Sequence, residues 1–176
     1  MIFHASNHRR RGSIAALFVA ALAIAGCRDL TGALPEEGPP DELVFSFGGF
    51  GVGSTTIELH GDSVVITHTP TDFLPTVPPP RVSRVPSPDE WRAFWDAARR
   101  AGVHRWRHEY RAEGVVDGSG WDLRIVSDGR TLESSGSNAY PDQLGREHEL
   151  EMTEAWFAFR LALETLAGQP SILPRD

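Results

Sequence analysis

Apolar and polar residues alternate along two segments, Ser54 to His60 and Ser63 to Thr69, that flank the pair Gly61-Asp62. A two-residue loop with glycine first suits a type II′ turn, so the pattern predicts a β-hairpin. Pairing about that loop puts Leu59 opposite Val64, Ile57 opposite Ile66 and Thr55 opposite His68 on one, mostly apolar, face. A slip of one residue would move that set to the other face, so the register is defined by the sequence. A second hairpin is predicted from Trp121 to Ser127 and Arg130 to Ser135 around Asp128-Gly129, a type I′ signal. It points Trp121, Leu123, Ile125 and Leu132 inward and sets Arg124 opposite Glu133 on the wet face. Leu43 to Phe47 reads as a further short strand ahead of the glycine-rich Gly48 to Gly53.

Two segments carry the helical period instead. Ser87-Pro88-Asp89-Glu90 has a serine for the N-cap, a proline for N1 and a glutamate for N3, the ingredients of a capping box. Trp91, Phe94, Trp95 and Ala98 then form one apolar stripe, stopped by Gly102. Met152, Trp156, Phe159, Leu163 and Leu166 form the second stripe, ended by Gly168 and Pro170. Between them, from Val103 to Arg111, the period is two: His104, Trp106, His108 and Tyr110 share one face, which predicts another strand.

The expected fold is therefore α+β, an antiparallel sheet of about six strands with two helices on one face. Both halves read strand-strand-strand-helix and both helices share W-x-x-F and an Ala-Gly ending, which suggests an internal duplication. Strand order in the two halves tests it.

The N-terminal region has a different character. Arg9, Arg10 and Arg11 precede an apolar run from Ile14 to Ala25, too short for the ~20 residues that span a bilayer. It has the form of a secretion signal. Ile24-Ala25-Gly26-Cys27 resembles the lipobox of bacterial lipoproteins. That resemblance implies cleavage before Cys27, lipidation of its thiol, and a location in the bacterial cell envelope. Arg28 stands where an aspartate would signal inner-membrane retention in some bacteria, so by that analogy the outer membrane is favoured. The implied organisation is a signal peptide at 1–26, a disordered tether at 27–42, one domain at 43–170 and a tail at 171–176. The tether expectation rests on Arg28 to Glu42, rich in proline and acids and poor in apolar residues.

Composition narrows the partners. The chain has no lysine, and beyond residue 26 it has 14 arginines against 24 acids, a formal charge of −10. Phosphate binding needs clustered positive charge, so nucleic acid is not an expected partner, nor does such a surface favour lying flat on an anionic leaflet. Cys27 is the only cysteine, which excludes an internal disulfide and cysteine-based zinc sites.

Candidate chemistry is sparse, and neither a cofactor nor a metal is expected. The cluster Gly48 to Gly53 leads into β-patterned residues, whereas a phosphate fingerprint opens a helix. His104 and His108, on a strand, would stand ~13 Å apart, too far for one metal ion. His148, among Glu147, Glu149 and Glu151, reads as a solvated group capping the last helix. No G-x-S-x-G or H-E-x-x-H motif is present. The segment Ser135 to Pro141 mixes turn formers with an aromatic. Its Asn138 and Tyr140, with Trp121 and Asp117 nearby in the sheet connections, form the candidate recognition site, since loops on rigid scaffolds commonly carry binding.

Asp117-Gly118-x-x-Trp121-x-Leu123-x-Ile125 followed by Ser135-Gly136-Ser137-Asn138-Ala139-Tyr140-Pro141 is similar to a pattern in small uncharacterised exported bacterial proteins. The resemblance implies a fold and no activity. The S-G-x-x-Y loop of the membrane-bound lysozyme inhibitors is also similar to Ser135–Tyr140, but here it is one residue longer. The expectation is a lipid-anchored domain that binds an envelope protein, peptide or other component without catalysis. The alternative is an envelope-polymer hydrolase using Asp117, Asp122 or Glu113 as acid/base groups.

Overall fold

A computed structural model describes residues 28–29, 34–51, 53–71, 78–115 and 117–169. The expected signal peptide, Cys27 itself, residues 72–77 and the expected tail at 171–176 lie outside the described residues.

In chain order the strands are β1 (Arg28–Asp29), β2 (Glu42–Gly49), β3 (Gly53–His60), β4 (Ser63–Thr69) and β5 (Arg81–Arg84). Helix α1 (Pro88–Arg100) follows, then β6 (Glu109–Arg111), β7 (Ser119–Ser127), β8 (Arg130–Ser137), β9 (Ala139–Pro141), β10 (Glu147–Glu149) and α2 (Glu154–Leu166). The main sheet runs β1-β8-β7-β2-β3-β4-β5, with β6 also on the outer edge of β8. It is antiparallel apart from β1 and β6, which both lie parallel to β8. The fold is α+β with both helices packed on one face. The sheet is larger than the six strands expected by the two short edge strands β1 and β5, which carry little hydrophobic pattern of their own.

Both hairpins have the predicted register. Leu59 pairs with Val64, Ile57 with Ile66 and Thr55 with His68, and Gly61 takes φ +64° while Asp62 stays at negative φ. Asp128 and Gly129 both take positive φ, 51° and 69°, which a type I′ turn requires, and Arg124 faces Glu133. Helix α1 begins with the complete Ser87/Glu90 capping box and buries Trp91, Phe94, Trp95 and Ala98. Helix α2 is capped by Thr153 and closes with Gly168 N–H donating to Thr165 and Gln169 N–H to Glu164, a Schellman arrangement.

The core is aromatic. Phe45 and Phe47 on β2 meet Trp156, Phe94 of α1 meets Phe159 of α2, and Trp106 wedges edge-on between Trp121 and Phe159. Such pairs add ~0.5–1.5 kcal/mol each beyond simple burial.

Several expectations are corrected. Val103 to Arg105 is a single 3-10 turn, and only Glu109–Arg111 is strand. Val103, Trp106 and Tyr110 are the buried residues there, so the anchoring positions are spaced by three and four, and His104 and His108 are not sheet residues. The duplication fails on strand order: β2-β3-β4 are consecutive neighbours, whereas the second half pairs as β6-β8-β7. His148 lies on β10 opposite Tyr140, not at the start of α2. Finally, the expected disordered tether is ordered from Leu34 onward. Leu34 is buried, Arg99 donates to the Pro35 carbonyl at 2.6 Å, and the Trp95 indole donates to the Gly38 carbonyl at 2.8 Å. Backbone carbonyls of a proline-rich stretch have no neighbouring amides to satisfy, and two long α1 side chains supply the donors.

Candidate functional site

Three of the four sequence-derived candidates converge, but inside the domain. Trp121 sits on β7 at 1% exposure, and its indole N–H donates to the Ala139 carbonyl at 3.0 Å. Gly136 pairs directly with Trp121, and a Cβ there would collide with the indole, so glycine is required by close approach. Asn138 takes φ +53°, a conformation asparagine tolerates. Its Oδ1 accepts from the Ser119 amide at 2.8 Å, its own N–H donates to the Ser119 carbonyl at 2.9 Å, and its carbonyl accepts from Leu150 at 2.7 Å. Tyr140 stacks edge-on against Trp156 with centroids 5.0 Å apart, and its hydroxyl meets Ser119 Oγ. Burial pushes the Tyr140 phenol up from its ordinary value. This is a structural knot that ties β7, β8 and β9 to α2. Asp117 alone of the four is exposed, and the structure does not bring it into the knot.

The surface feature that remains is a groove of about 800 Å³ along the outer side of the paired helices. Its floor is small: Ala93 and Ala97 from α1, Ala155, Ala158 and Ala162 from α2. Leu161, half-exposed, forms an apolar wall. The helix pattern explains the floor. Each helix turns its aromatic stripe to the sheet, and the adjacent flank, spaced by three and four, carries alanine. The signal was present in sequence as Ala93/Ala97 and Ala155/Ala158/Ala162, but a stripe of alanines has no period distinct from a helix core.

One end of the groove is closed by the β9–β10 connection, built on Asp142. Its Oδ1 accepts from the Leu144 amide at 2.8 Å and the Arg146 amide at 2.9 Å; its Oδ2 accepts from Arg146 Nε at 2.7 Å and lies 3.4 Å from His148 Nε2. Burial works to raise the Asp142 pKa, but the Arg146 amide and guanidinium, then Leu144 and His148, outweigh it and hold the carboxyl well below the usual range. At the other end Glu90 is held at about 2 by the Ser87 amide and by Arg84, 2.6 Å away. Both carboxylates stay ionised and engaged near neutral pH, so neither can donate a proton as a general acid.

The acids suggested for hydrolysis do not assemble. Glu113 and Asp117 are exposed and line none of the three principal cavities. Asp122 lines a shallow glycine-rich cradle at the β2–β3 turn, where it accepts from Ser46 Oγ at 3.3 Å. Histidines are scattered. His108 is 79% exposed near Glu133, His68 meets Thr55, and His104 lines a polar cleft with its pKa lowered by burial and by Arg105. Among the described residues no three His, Cys, Asp or Glu side chains stand where a metal ion could be held. No described helix is long and apolar enough to cross a membrane.

No family model matches the chain, and no curated protein is significantly similar to it.

Proposed function

We propose that this chain is a lipid-anchored extracytoplasmic domain of the bacterial envelope, attached through Cys27, that binds a protein, peptide or other envelope component without catalysing a reaction. The outer membrane is the favoured location, on the strength of Arg28 after the lipobox cysteine. The observation that carries the binding reading is the groove between α1 and α2: about 800 Å³, floored by alanines, with an apolar wall at Leu161. Small floor residues let a ligand backbone or helix approach closely, and the two ends carry fixed charge for orientation. The recognition role expected of Asn138 and Tyr140 passes to this groove, because their side chains are occupied in packing.

The test is capture from solubilised envelope by wild-type protein and by Ala158→Trp, which fills the groove from an exposed position. A component retained by wild type and lost by the variant, with unchanged thermal unfolding, supports the reading. Equal capture by both removes the groove from it.

A further inference from the structure

The described residues that follow Cys27, 28–29 and 34–41, are tied to the domain, and this has consequences for how the domain stands on a membrane. Arg28 pairs with Arg130 and Asp29 with Thr131, parallel to β8. Arg130 directly follows the Asp128-Gly129 turn, and a parallel strand enters from the same end, so Arg28, the residue that follows the lipobox cysteine in sequence, lies at that end of the sheet. Leu34 to Asp41 is then held by Arg99, Trp95 and the backbone, with Asp41 N–H on the Val126 carbonyl at 2.8 Å and the Asp128 amide on Asp41 Oδ2 at 3.0 Å.

The register fixes which loops share that end. Glu42 pairs with Val126 and Val44 with Glu58, so the Asp128-Gly129 and Gly61-Asp62 turns lie together at the end of the sheet where Arg28 enters. Gly49 pairs with Gly53 and with Ser119, which puts the Phe50 turn at the opposite end. Eight residues of β2 separate the two ends, about 26 Å at ~3.3 Å per residue. Phe50 is 81% exposed there.

We infer that the bilayer faces the end of the sheet formed by the Gly61-Asp62 and Asp128-Gly129 turns, and that the Phe50 turn is presented about 26 Å further out. This rests on acylation of Cys27, the reading given above. The near end carries Asp41, Asp62 and Asp128, which anionic headgroups repel, so the covalent anchor and its docked strand hold the domain there.

The experiment uses the native lipoprotein in phosphatidylcholine vesicles that contain an acceptor-labelled lipid. An acylated Cys27 has no free thiol, so Asp62→Cys and Phe50→Cys each take a single donor dye. Energy transfer is expected to place residue 50 about 26 Å further from the bilayer than residue 62. A twenty-residue Gly/Ser spacer between Arg28 and Asp29, with an r.m.s. length of about 25 Å, is expected to abolish most of that difference. With Cys27 shown acylated by mass spectrometry, equal or reversed distances overturn the orientation and leave the anchor standing. A difference that survives the spacer also overturns it. A free Cys27 thiol and no partition into vesicles overturn the anchor and the orientation together.

Discussion

Replacing Asn138 by alanine separates a packing role for the β8–β9 connection from a recognition role. Two losses add. The Ser119 amide, part-buried, loses its acceptor at 2.8 Å, worth ~1–3 kcal/mol for an orphaned buried donor. Alanine must also adopt φ near +53°, where an ordinary L-residue pays ~1–2 kcal/mol and asparagine less. The expected destabilisation is ~2–5 kcal/mol. At about 2–4 °C per kcal/mol for a domain of this size, the melting temperature falls by roughly 4–20 °C. Urea unfolding read by tryptophan fluorescence is a suitable assay, because Trp121 donates to the neighbouring Ala139 carbonyl and reports on the same connection. Asn138→Asp keeps both the acceptor and the tolerance of left-handed backbone, so it should recover most of the loss. If Asn138→Ala lies within ~0.5 kcal/mol of wild type, the typical range of a bland surface change, the knot is not what holds this region.

The buried ion pair and the groove carboxylates give two further tests. Arg160 and Glu164, 2.8 Å apart and 6% and 8% exposed, lie on the flank of α2, with the Arg160 guanidinium over the Phe47 and Trp156 rings. Glu164→Leu strands that cation and should cost ~3–5 kcal/mol in urea titrations, whereas Arg160→Met with Glu164→Leu should be close to neutral; equal costs would refute the pairing argument. Asp142 and Glu90 both have depressed pKa values in the folded state. Their contribution to stability is therefore complete above the unfolded-state values, near 4 to 4.5, and is lost as pH falls from there, toward about 2 for Glu90 and lower still for Asp142. Asp142→Asn should flatten that acid limb in pH-dependent melting; an unchanged slope would show that Arg146 and the loop amides do not favour the ionised form.

Much of the architecture was legible because short-range rules govern it. Hairpin register follows from turn chemistry plus a period of two, and the α1 terminus from a capping box, and all of these involve residues within a few positions of one another. Val103 to Arg111 misled because Trp106 and Tyr110 are large enough to be buried by a 3-10 turn and an irregular link as well as by a strand. In nine residues, spacing of three and four cannot be told from alternation when polar residues fill the gaps. Leu34 to Asp41 misled for a different reason. Its composition lacks the apolar area to fold alone, but Trp95 and Arg99, some 60 positions further on, satisfy its carbonyls.

The sequence by itself determined the two hairpins and the two helices, the direction of their apolar faces, the strong acidity, and the lone cysteine placed after a signal-like run. Only the tertiary structure decided that Trp121, Asn138 and Tyr140 point into a packed knot, since loop residues and core residues look alike until the partner elements are in place. It also decided that two alanine flanks meet as a groove, and that the residues after Cys27 join the sheet edge. Each depends on contacts between segments far apart in the chain, whose energies no local pattern encodes.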